Sequence, residues 1–314
     1  MDLPTEIIVE ILKNVAYSDI KTCQYVNRYL NRLISENSKY LPRRRVAVRI
    51  FQKSGVTFVS NTTRHFKEEE FIHFKAKDWS RVAVDSLVLE NIGMESCETQ
   101  WVLQKLLTCL KMSRQLRIRF LKLDCVEISD SSHQQLSEFF RFVLPYCEEI
   151  QMVRCVLPTA PTPAQITSCK ALNHYRLLDS RSAPMNGTND AVLEIYTHDV
   201  CSNSGKKSFH AEMSCATPSK VCDFIQAWTS SAAVPYFNIT LSECDEAWRS
   251  SFSEECRRRN ISNACMEFAS TVLKTAHVKV VFVNDAQLCR MWPVFDVPAR
   301  NGPEICYNRY YRDF

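Results

Sequence analysis

Apolar residues near the start of the chain recur at the spacing of an amphipathic helix. Ile7, Ile11, Leu12 and Val15 fall on one side of a helix with about 3.6 residues per turn. Pro4 suits the first turn, because its missing N–H would have no partner there. The pattern therefore predicts a first helix with one apolar face.

Two shorter helices are predicted directly after the first. Ser18 or Asp19 can cap the second helix, since either side chain accepts a hydrogen bond from an unpaired backbone N–H. Val26, Leu30 and Ile34 line one side of the third helix. Three helices of this size cannot enclose a core within about 35 residues, so part of their apolar surface must meet something else.

Strands and helices alternate from residue 84 onward. Each strand carries a short apolar core such as Leu-x-Leu, and the helices between strands are amphipathic. One strand and one helix per unit is typical of leucine-rich repeats, here with irregular periods. Parallel strands joined by helices should stack into a curved sheet with the helices outside. The predicted strands are 84–89, 120–125, 150–155 and 175–179, and the predicted helices are 99–112 and 134–144.

Two features adjoin this alternating region. The apolar pattern before this region predicts two strands joined by a short turn, Val46–Phe51 and Val56–Val59. Pro158–Pro163 interrupts the helix that is expected between the third and fourth strands. Because proline breaks both helices and strands, this segment predicts a surface loop.

The last third of the chain changes to antiparallel patterns. Val192–Tyr196 and Ser208–Met213 alternate like two antiparallel strands around a turn at 202–205. A closing hairpin is predicted between Phe295–Val297 and Ile305–Tyr307. Between these pairs the pattern predicts helices over 219–228 and 244–259 and strands over 236–241 and 278–283.

Composition indicates a soluble protein of a reducing compartment. The 314 residues contain no apolar run of about 18 or more, and the N-terminus lacks the basic and hydrophobic regions of a signal peptide. The 15 cysteines are an odd number and include no Cys-x-x-Cys. We therefore expect free thiols that serve as small apolar residues, and a cytoplasmic or nuclear location.

The net charge of +4 is too small to predict a nucleic-acid partner. The dense basic clusters, Arg43–Arg45 and Arg257–Arg259, have no ladder of aromatic residues beside them. Such clusters are usually solvated surface. Neither a nucleic-acid partner nor a membrane partner is expected.

The motifs of common enzyme classes are missing from the sequence. With 5 glycines, the chain has no Gly-x-Gly-x-x-Gly and no Gly-x-Ser-x-Gly. His65 and His73 have the wrong spacing for two ligands on one helix face. Cys109 and Cys222 each sit on an apolar helix face, where a thiol is usually inert. We expect no catalytic residue, no metal ligand and no cofactor.

The N-terminal residues, over 1–40, resemble the F-box. The family pattern is Leu-Pro-x-Glu, a helix ending in Ile-Leu, an Asp-Leu pair at the next helix and a Val before a basic helix. This sequence departs from the pattern at Ile20, where Leu is usual, and at Leu30, where Trp is frequent. The matching residues, in chain order, are Leu3, Pro4, Glu6, Ile11, Leu12, Asp19, Val26 and Arg28.

The F-box resemblance implies a docking site for the Skp-type adaptor of a cullin–RING ubiquitin ligase of the SCF type. The chain would then be a non-catalytic receptor that brings a protein substrate to the ligase for ubiquitin-dependent degradation. Proximity would be its contribution, and the chemistry would belong to its partners. The residues expected to contact the adaptor are Leu3, Pro4, Ile7, Ile11, Leu12, Val26 and Leu30.

A second resemblance covers the C-terminal part, residues 185–314. Val221–Trp228, with Phe224 and Trp228 on one helix, and the strand Tyr236–Leu241 are similar to the type-two F-box-associated region of nematode F-box proteins. Phe295–Val297 is similar to the start of that region's closing hairpin. The same two residues also fit a simpler explanation, in which Phe224 and Trp228 are a pair of core residues at positions i and i+4 of a helix.

Together these patterns predict an α/β fold in three parts. The F-box occupies residues 1–40, and an irregular leucine-rich-repeat-like β/α curved sheet occupies 41–184. The F-box-associated region, 185–314, continues the repeats and ends in antiparallel strands.

The open face of the predicted sheet is the candidate substrate surface. Side chains that alternate with the buried Leu-x-Leu positions point to this face, where they would lie side by side. A plain solvated face would have the same polar composition. The residues that the alternation places there are Val88, Glu90, Lys122, Asp124, Gln151, Val153 and Arg176.

Two other functions stay open at this point. A leucine-rich-repeat-like scaffold or interaction protein could use the same adaptor, or none, without acting in ubiquitination. Co-purification with adaptor and cullin would separate this scaffold from a ligase receptor. An enzyme of unrecognised type would require a deep polar pocket with clustered titratable groups.

Overall fold

Three short helices form the start of the chain, in agreement with the sequence pattern. They are α1 (Thr5–Lys13), α2 (Tyr17–Cys23) and α3 (Arg28–Asn37). The Asn27 side chain accepts a 2.7 Å hydrogen bond from the backbone N–H of Leu30, which satisfies a donor in the first turn of α3. The computed structural model describes residues 3–295 except for 39, 43, 55, 62–68, 74–81, 94–96, 113–117, 170, 179, 183–185, 203–207, 215, 233–234, 262–265, 270, 273–275 and 284–286.

The second helix starts earlier than its sequence predicts. Ala16 occupies the cap position and makes no side-chain capping bond, while Ser18 and Asp19 lie inside the first turn. The prediction that Ser18 or Asp19 caps α2 was therefore wrong. Asp19 instead places negative charge in the first turn, where the helix dipole favours it.

The three helices have a small apolar core of their own. Leu12, Ile20, Leu33, Ile34 and Leu41 are buried together, one or two from each helix and one from the chain that leaves them. This cluster is separate from the large core of the remaining chain. We call residues 3–41 the N-terminal helical unit.

One mixed sheet runs through the rest of the described chain. It includes strands from before and after the predicted boundary between the repeat-like region and the C-terminal region, so both regions share one sheet. A separate small parallel pair is formed by β7 (Val156–Leu157) and β9 (Arg181–Ser182). The strands of the large sheet are β1 (Arg44–Lys53), β2 (Val56–Asn61), β3 (Glu69–Glu70), β4 (Val82–Ile92), β5 (Phe120–Val126), β6 (Glu149–Val153), β8 (His174–Leu178), β10 (Ser208–Met213), β11 (Tyr236–Leu241), β12 (Glu267–Ala269), β13 (Ala276–Val283) and β14 (Leu288–Phe295).

The middle of the sheet is parallel and its two ends are antiparallel. The spatial order is β12-β13-β14-β11-β10-β8-β6-β5-β4-β1-β2-β3. Neighbours from β1 to β11 in this order pair in parallel, which agrees with the strand–helix alternation of the sequence. The predicted antiparallel pairing of β1 with β2 is confirmed.

Helices follow the parallel strands and cover one face of the sheet. Their apolar sides and the inward side chains of the strands form one large buried core, in which Leu121, Ile150, Leu106 and Phe139 are fully buried. This is the arrangement expected when helices connect parallel strands. The helices are α4 (Cys97–Met112), α5 (His133–Val143), α6 (Pro163–Thr167), α7 (Asn186–Cys201), α8 (Pro218–Thr229) and α9 (Glu246–Arg258).

The predicted hairpin of Val192–Tyr196 with Ser208–Met213 was wrong. Residues 192–196 lie within α7, and β10 pairs in parallel with its two neighbours. A parallel neighbour of β8 needs a crossover connection, and α7 supplies it. Tyr196 is fully buried, and its hydroxyl donates a 2.8 Å hydrogen bond to the backbone carbonyl of His210 on β10.

The proline segment is more ordered than the surface loop that its sequence predicts. Thr162 and Gln165 form a capping box that starts the short helix α6 at Pro163. Pro161 is buried, and its carbonyl accepts a 2.6 Å hydrogen bond from the Thr188 hydroxyl of α7. The segment therefore packs against α7.

The C-terminal strands include one that the sequence analysis missed. β14 pairs antiparallel with both β11 and β13, so it lies inside the sheet. The helices predicted over 219–228 and 244–259 and the strands over 236–241 and 278–283 are confirmed. Of the closing hairpin, only Phe295 lies among the described residues, where it ends β14.

Candidate functional site

Large apolar side chains are exposed on the N-terminal helical unit. Ile7 and Ile11 lie on one side of α1, Leu3 lies just before this helix, and Val26 lies in the turn before α3. Soluble surfaces rarely expose several large apolar residues on elements so short unless a partner covers them. We call these four exposed residues the apolar helix surface.

The other three residues expected to contact the adaptor differ in their exposure. Leu12 is buried in the core of the helical unit, so it is removed from the expected contact. The physical reason is that the side chains of Leu12 and Ile11 point about 100° apart on a helix. Pro4 is exposed at the start of α1, and Leu30 is half-buried.

Two tyrosines extend the apolar helix surface, and the sequence analysis missed both. Tyr25 is 81% exposed, and Tyr29 is 51% exposed on α3. The hydroxyl of Tyr29 lies 2.9 Å from that of Thr5, which ties the start of α1 to α3. A tyrosine in the short turn between α2 and α3, and a second one at the start of α3, were the available signal, because tyrosine is enriched at protein interfaces.

The residues predicted for the open sheet face do lie side by side. Strand register places Val88 beside Lys122, Lys122 beside Gln151, and Gln151 beside Arg176. A second row places Glu90 beside Asp124, which lies beside Val153. All seven are half-buried and each directly follows a buried residue of its strand, so they occupy the face that the helices leave uncovered.

The same rows continue onto strands that the sequence analysis did not include. Arg49 of β1 lies beside Val88, and Glu212 of β10 lies beside Arg176. We call the seven predicted residues, together with Arg49, Glu149, His174, His210 and Glu212, the polar sheet face. The missing signal was strand order, because β10 joins this face only through its parallel pairing with β8.

Asp124 is the centre of one charge cluster on the polar sheet face. Its carboxylate lies 2.9 Å from Lys122 Nζ and 2.8 Å from Arg154 Nη2. Burial alone would raise the pKa of Asp124, but the hydrogen bonds from Lys122 and Arg154 outweigh burial and hold the pKa below its usual range. The carboxylate is therefore charged at neutral pH.

Ion pairs also connect strands at other positions of the face. Arg49 Nε lies 2.7 Å from Glu90 Oε2, and the Arg49 guanidinium stacks over the Phe51 ring at 4.6 Å from its centroid. Arg176 Nε lies 2.9 Å from Glu212 Oε2. Acidic and basic groups thus alternate across the face, and most of their charge is compensated within the protein.

Two histidines lie in contact at the end of the face that β8 and β10 form. The ring centroids of His174 and His210 are 4.6 Å apart, edge to face, and His174 Nδ1 lies 3.2 Å from Glu149 Oε1. Burial lowers the pKa of both histidines, and the positive charge of Arg176 lowers it further. Both rings are therefore neutral at pH 7.

The described part of the chain contains no group of three or more His, Cys, Asp or Glu side chains arranged to hold a metal ion. None of the described helices combines the length and the apolar composition that crossing a membrane requires. No family model, curated protein or solved structure matches this chain.

Proposed function

We propose that this chain is a substrate receptor of a cullin–RING ubiquitin ligase, with an F-box formed by the N-terminal helical unit. The unit would dock on a Skp-type adaptor through the apolar helix surface. The rest of the chain would bind a protein substrate in the cytoplasm or nucleus and perform no catalysis itself. The observation that carries this proposal is the exposure of Leu3, Ile7, Ile11 and Val26 on helices with a separate core.

Burial energetics support a protein partner for this surface. Covering a large aliphatic side chain contributes about 1.5–3 kcal/mol before association costs are subtracted. Four such side chains, with Tyr25 and Tyr29 beside them, supply a gross gain on the order of 10 kcal/mol. Because the core of the helical unit is formed by other residues, it can stay folded while the surface is bound or free.

A single charge on the apolar helix surface tests the proposal. Ile11→Asp places a carboxylate in the expected contact, and desolvating an unpaired charge costs several kcal/mol. We expect the purified variant to lose binding to a Skp-type adaptor by at least about 100-fold in Kd, measured by titration calorimetry. The change should not unfold the chain, because Ile11 is exposed.

Asn31→Asp is the matched control. It introduces the same charge at an exposed polar position of α3, and we expect its affinity for the adaptor to stay at the wild-type value. Wild-type affinity of Ile11→Asp would contradict the proposed contact. Failure of the wild-type chain to bind any Skp-type adaptor would contradict the function.

The polar sheet face is the proposed substrate surface. Its ion pairs are internally compensated, so a protein partner could exchange them for intermolecular pairs without leaving a charge buried alone. Arg49, Lys122 and Arg176 offer donors, and Glu90 and Glu212 offer acceptors, across six adjacent strands. A substrate with charges of both signs fits this pattern.

A further inference from the structure

Two buried cysteines from neighbouring helices contact each other on the helix side of the sheet. Cys222 lies on α8 and Cys256 on α9, and their Sγ atoms are 3.6 Å apart. Both side chains are fully buried. Other buried thiols, such as Cys147 and Cys169, instead donate to a backbone carbonyl four residues earlier in their own segments.

An arginine crosses between the two helices next to this thiol pair. Arg259 Nε lies 2.7 Å from Glu255 Oε1, and Arg259 Nη2 donates a 2.8 Å hydrogen bond to the Ser219 hydroxyl. Its Nη1 pairs with the Asp223 carboxylate. Asp223 follows Cys222 and Glu255 precedes Cys256 in the chain, so Arg259 contacts a chain neighbour of each cysteine.

The separation of the sulfur atoms is close to what a disulfide needs. A disulfide has an S–S bond of about 2.05 Å, so the two atoms must approach by roughly 1.5 Å. Each Sγ atom swings about its own Cα–Cβ bond, so rotation of either side chain changes this separation without moving the helices.

We propose that Cys222 and Cys256 form a reversible dithiol–disulfide site that is oxidised by a peroxide. In the first step one thiol of the pair gives up its proton, and its thiolate attacks one oxygen of hydrogen peroxide. The O–O bond breaks, and the released hydroxide takes that proton to leave as water. In the second step the sulfur of the other cysteine attacks the resulting sulfenic acid, and the S–O bond breaks. The departing hydroxide takes the proton of this second thiol, so two thiols and one peroxide give one disulfide and two waters.

The two thiols share one hydrogen bond in which either sulfur can be the donor. This hydrogen bond lowers the pKa of the thiol that accepts it and raises the pKa of the donor, burial acts to raise both pKa values, and the positive charge of Arg259 acts to lower both. The accepting thiol is therefore the one that ionises, and the donor resolves the sulfenic acid.

The site is independent of the proposed ligase function. Both thiols are part of the core on the helix side, and the polar sheet face is on the opposite side of the sheet. A negative result for adaptor or substrate binding would leave this proposal unchanged.

Peptide mapping of the full-length protein tests the site directly. The protein is treated with increasing hydrogen peroxide, denatured with an alkylating reagent, digested and analysed by mass spectrometry. We expect one linked peptide pair, Cys222 with Cys256, which dithiothreitol returns to two alkylated thiols. Cys147 and Cys169 are buried controls, and burial raises the pKa of Cys169 to about 12, so both should remain alkylated at the same peroxide dose.

Three variants test the mechanism. Cys222→Ser and Cys256→Ser each leave one thiol without its partner, so peroxide should form a sulfenic acid that dimedone labels at the remaining cysteine in at least one of the two. Arg259→Gln should slow disulfide formation by about 5-fold or more, because the thiolate loses its nearby cation. Unchanged rates in Arg259→Gln would contradict the role of the guanidinium.

The wild-type map decides the proposal without any variant. Cys201 is exposed and reports that the peroxide dose is effective. The proposal is overturned if Cys201 is oxidised while Cys222 and Cys256 both remain fully alkylated. It is also overturned if either thiol links to a different cysteine.

Discussion

Ile11 and Leu12 are adjacent in the chain, yet Ile11 is 51% exposed and Leu12 is 4% exposed. The first faces away from the helical unit, and the second packs against Ile20, Leu33 and Ile34. A binding surface and a core thus share one short helix. Substitutions at these two positions should therefore have different effects.

Leu12→Ala should loosen the N-terminal helical unit. Deleting a buried leucine side chain costs about 2–5 kcal/mol, and this core contains few other residues to compensate. We expect faster amide hydrogen exchange in peptides from residues 3–41, measured by mass spectrometry on the full chain. Peptides from the sheet should exchange at the wild-type rate, because the two cores are separate.

Ile11→Ala is the control for that experiment. Exposed substitutions usually change stability by no more than about 0.5 kcal/mol, so exchange in residues 3–41 should stay near wild type. If amide hydrogen exchange in this unit becomes equally fast in both variants, the burial of Leu12 does not stabilise the unit.

Asp124→Asn should destabilise the fold at pH 7. It removes the negative charge that both Lys122 and Arg154 contact. We expect the free energy of unfolding, measured with urea, to fall by an amount on the order of 1–3 kcal/mol. Because the folded pKa of Asp124 is lowered, its contribution is present above the unfolded value and is lost as the pH falls through the folded one. The difference in unfolding free energy between wild type and variant should therefore shrink as the pH falls below about 4.

Asp130→Asn serves as the comparison for that titration, because Asp130 is exposed. Its unfolding free energy should match the wild type within about 0.5 kcal/mol at pH 7. If Asp124→Asn loses the same unfolding free energy at pH 7 and at pH 3, the ion pairs of Asp124 are not the cause of that loss.

His174 and His210 should make the fold less stable in mild acid. Their folded pKa values are lowered, so the unfolded chain binds more protons between the folded values and the usual 6.5 or so. Stability should be full above about pH 6.5 and should fall as the pH drops below it. Their environment includes Glu149, Glu212 and Arg176 as the neighbouring charges.

Thermal unfolding measured from pH 7.5 to 5 reports this loss of stability, and NMR titration of the imidazole protons assigns it to individual histidines. The double variant His174→Gln with His210→Gln should flatten the slope over that range. An imidazole that titrates at or above 6.5 or so would contradict the predicted direction of the shift.

Substrate capture should depend on the polar sheet face. Replacing Lys122, Gln151 and Arg176 together by Ala removes adjacent polar groups from one row, and we expect the variant to lose substrates while it keeps adaptor affinity. Affinity purification with quantitative mass spectrometry measures both effects. Thermal unfolding must show that the variant remains folded.

A second triple variant provides the control for substrate capture. Alanine at Gln104, Gln134 and Arg141 changes exposed polar residues on α4 and α5, on the opposite side of the molecule, and should leave capture unchanged. If the sheet-face variant retains every substrate, the binding site lies elsewhere, and the region from residue 191 onward becomes the next candidate.

The sequence by itself determined the elements whose apolar pattern is unambiguous. Leu121 and Leu123, or Ile150 and Met152, alternate with polar residues, and a strand with this period has its two faces fixed locally. The spacing from Ile7 to Leu12 likewise required a helix, whereas Val15 lies beyond the last helical residue, Lys13. The seven residues of the open face followed from the same rule, and they lie together as expected.

Tertiary structure decided the elements whose local pattern fits two conformations. Val192–Tyr196 is a short apolar run that suits either a strand or a buried helix, and periodicity cannot separate the two. Here β8 and β10 pair in parallel, which requires a crossover, so the run is helical and Tyr196 packs beneath β10. The contacts of His174 with His210 and of Cys222 with Cys256 also depend on which strands and helices become neighbours, because pairing between distant segments leaves no local period in the sequence.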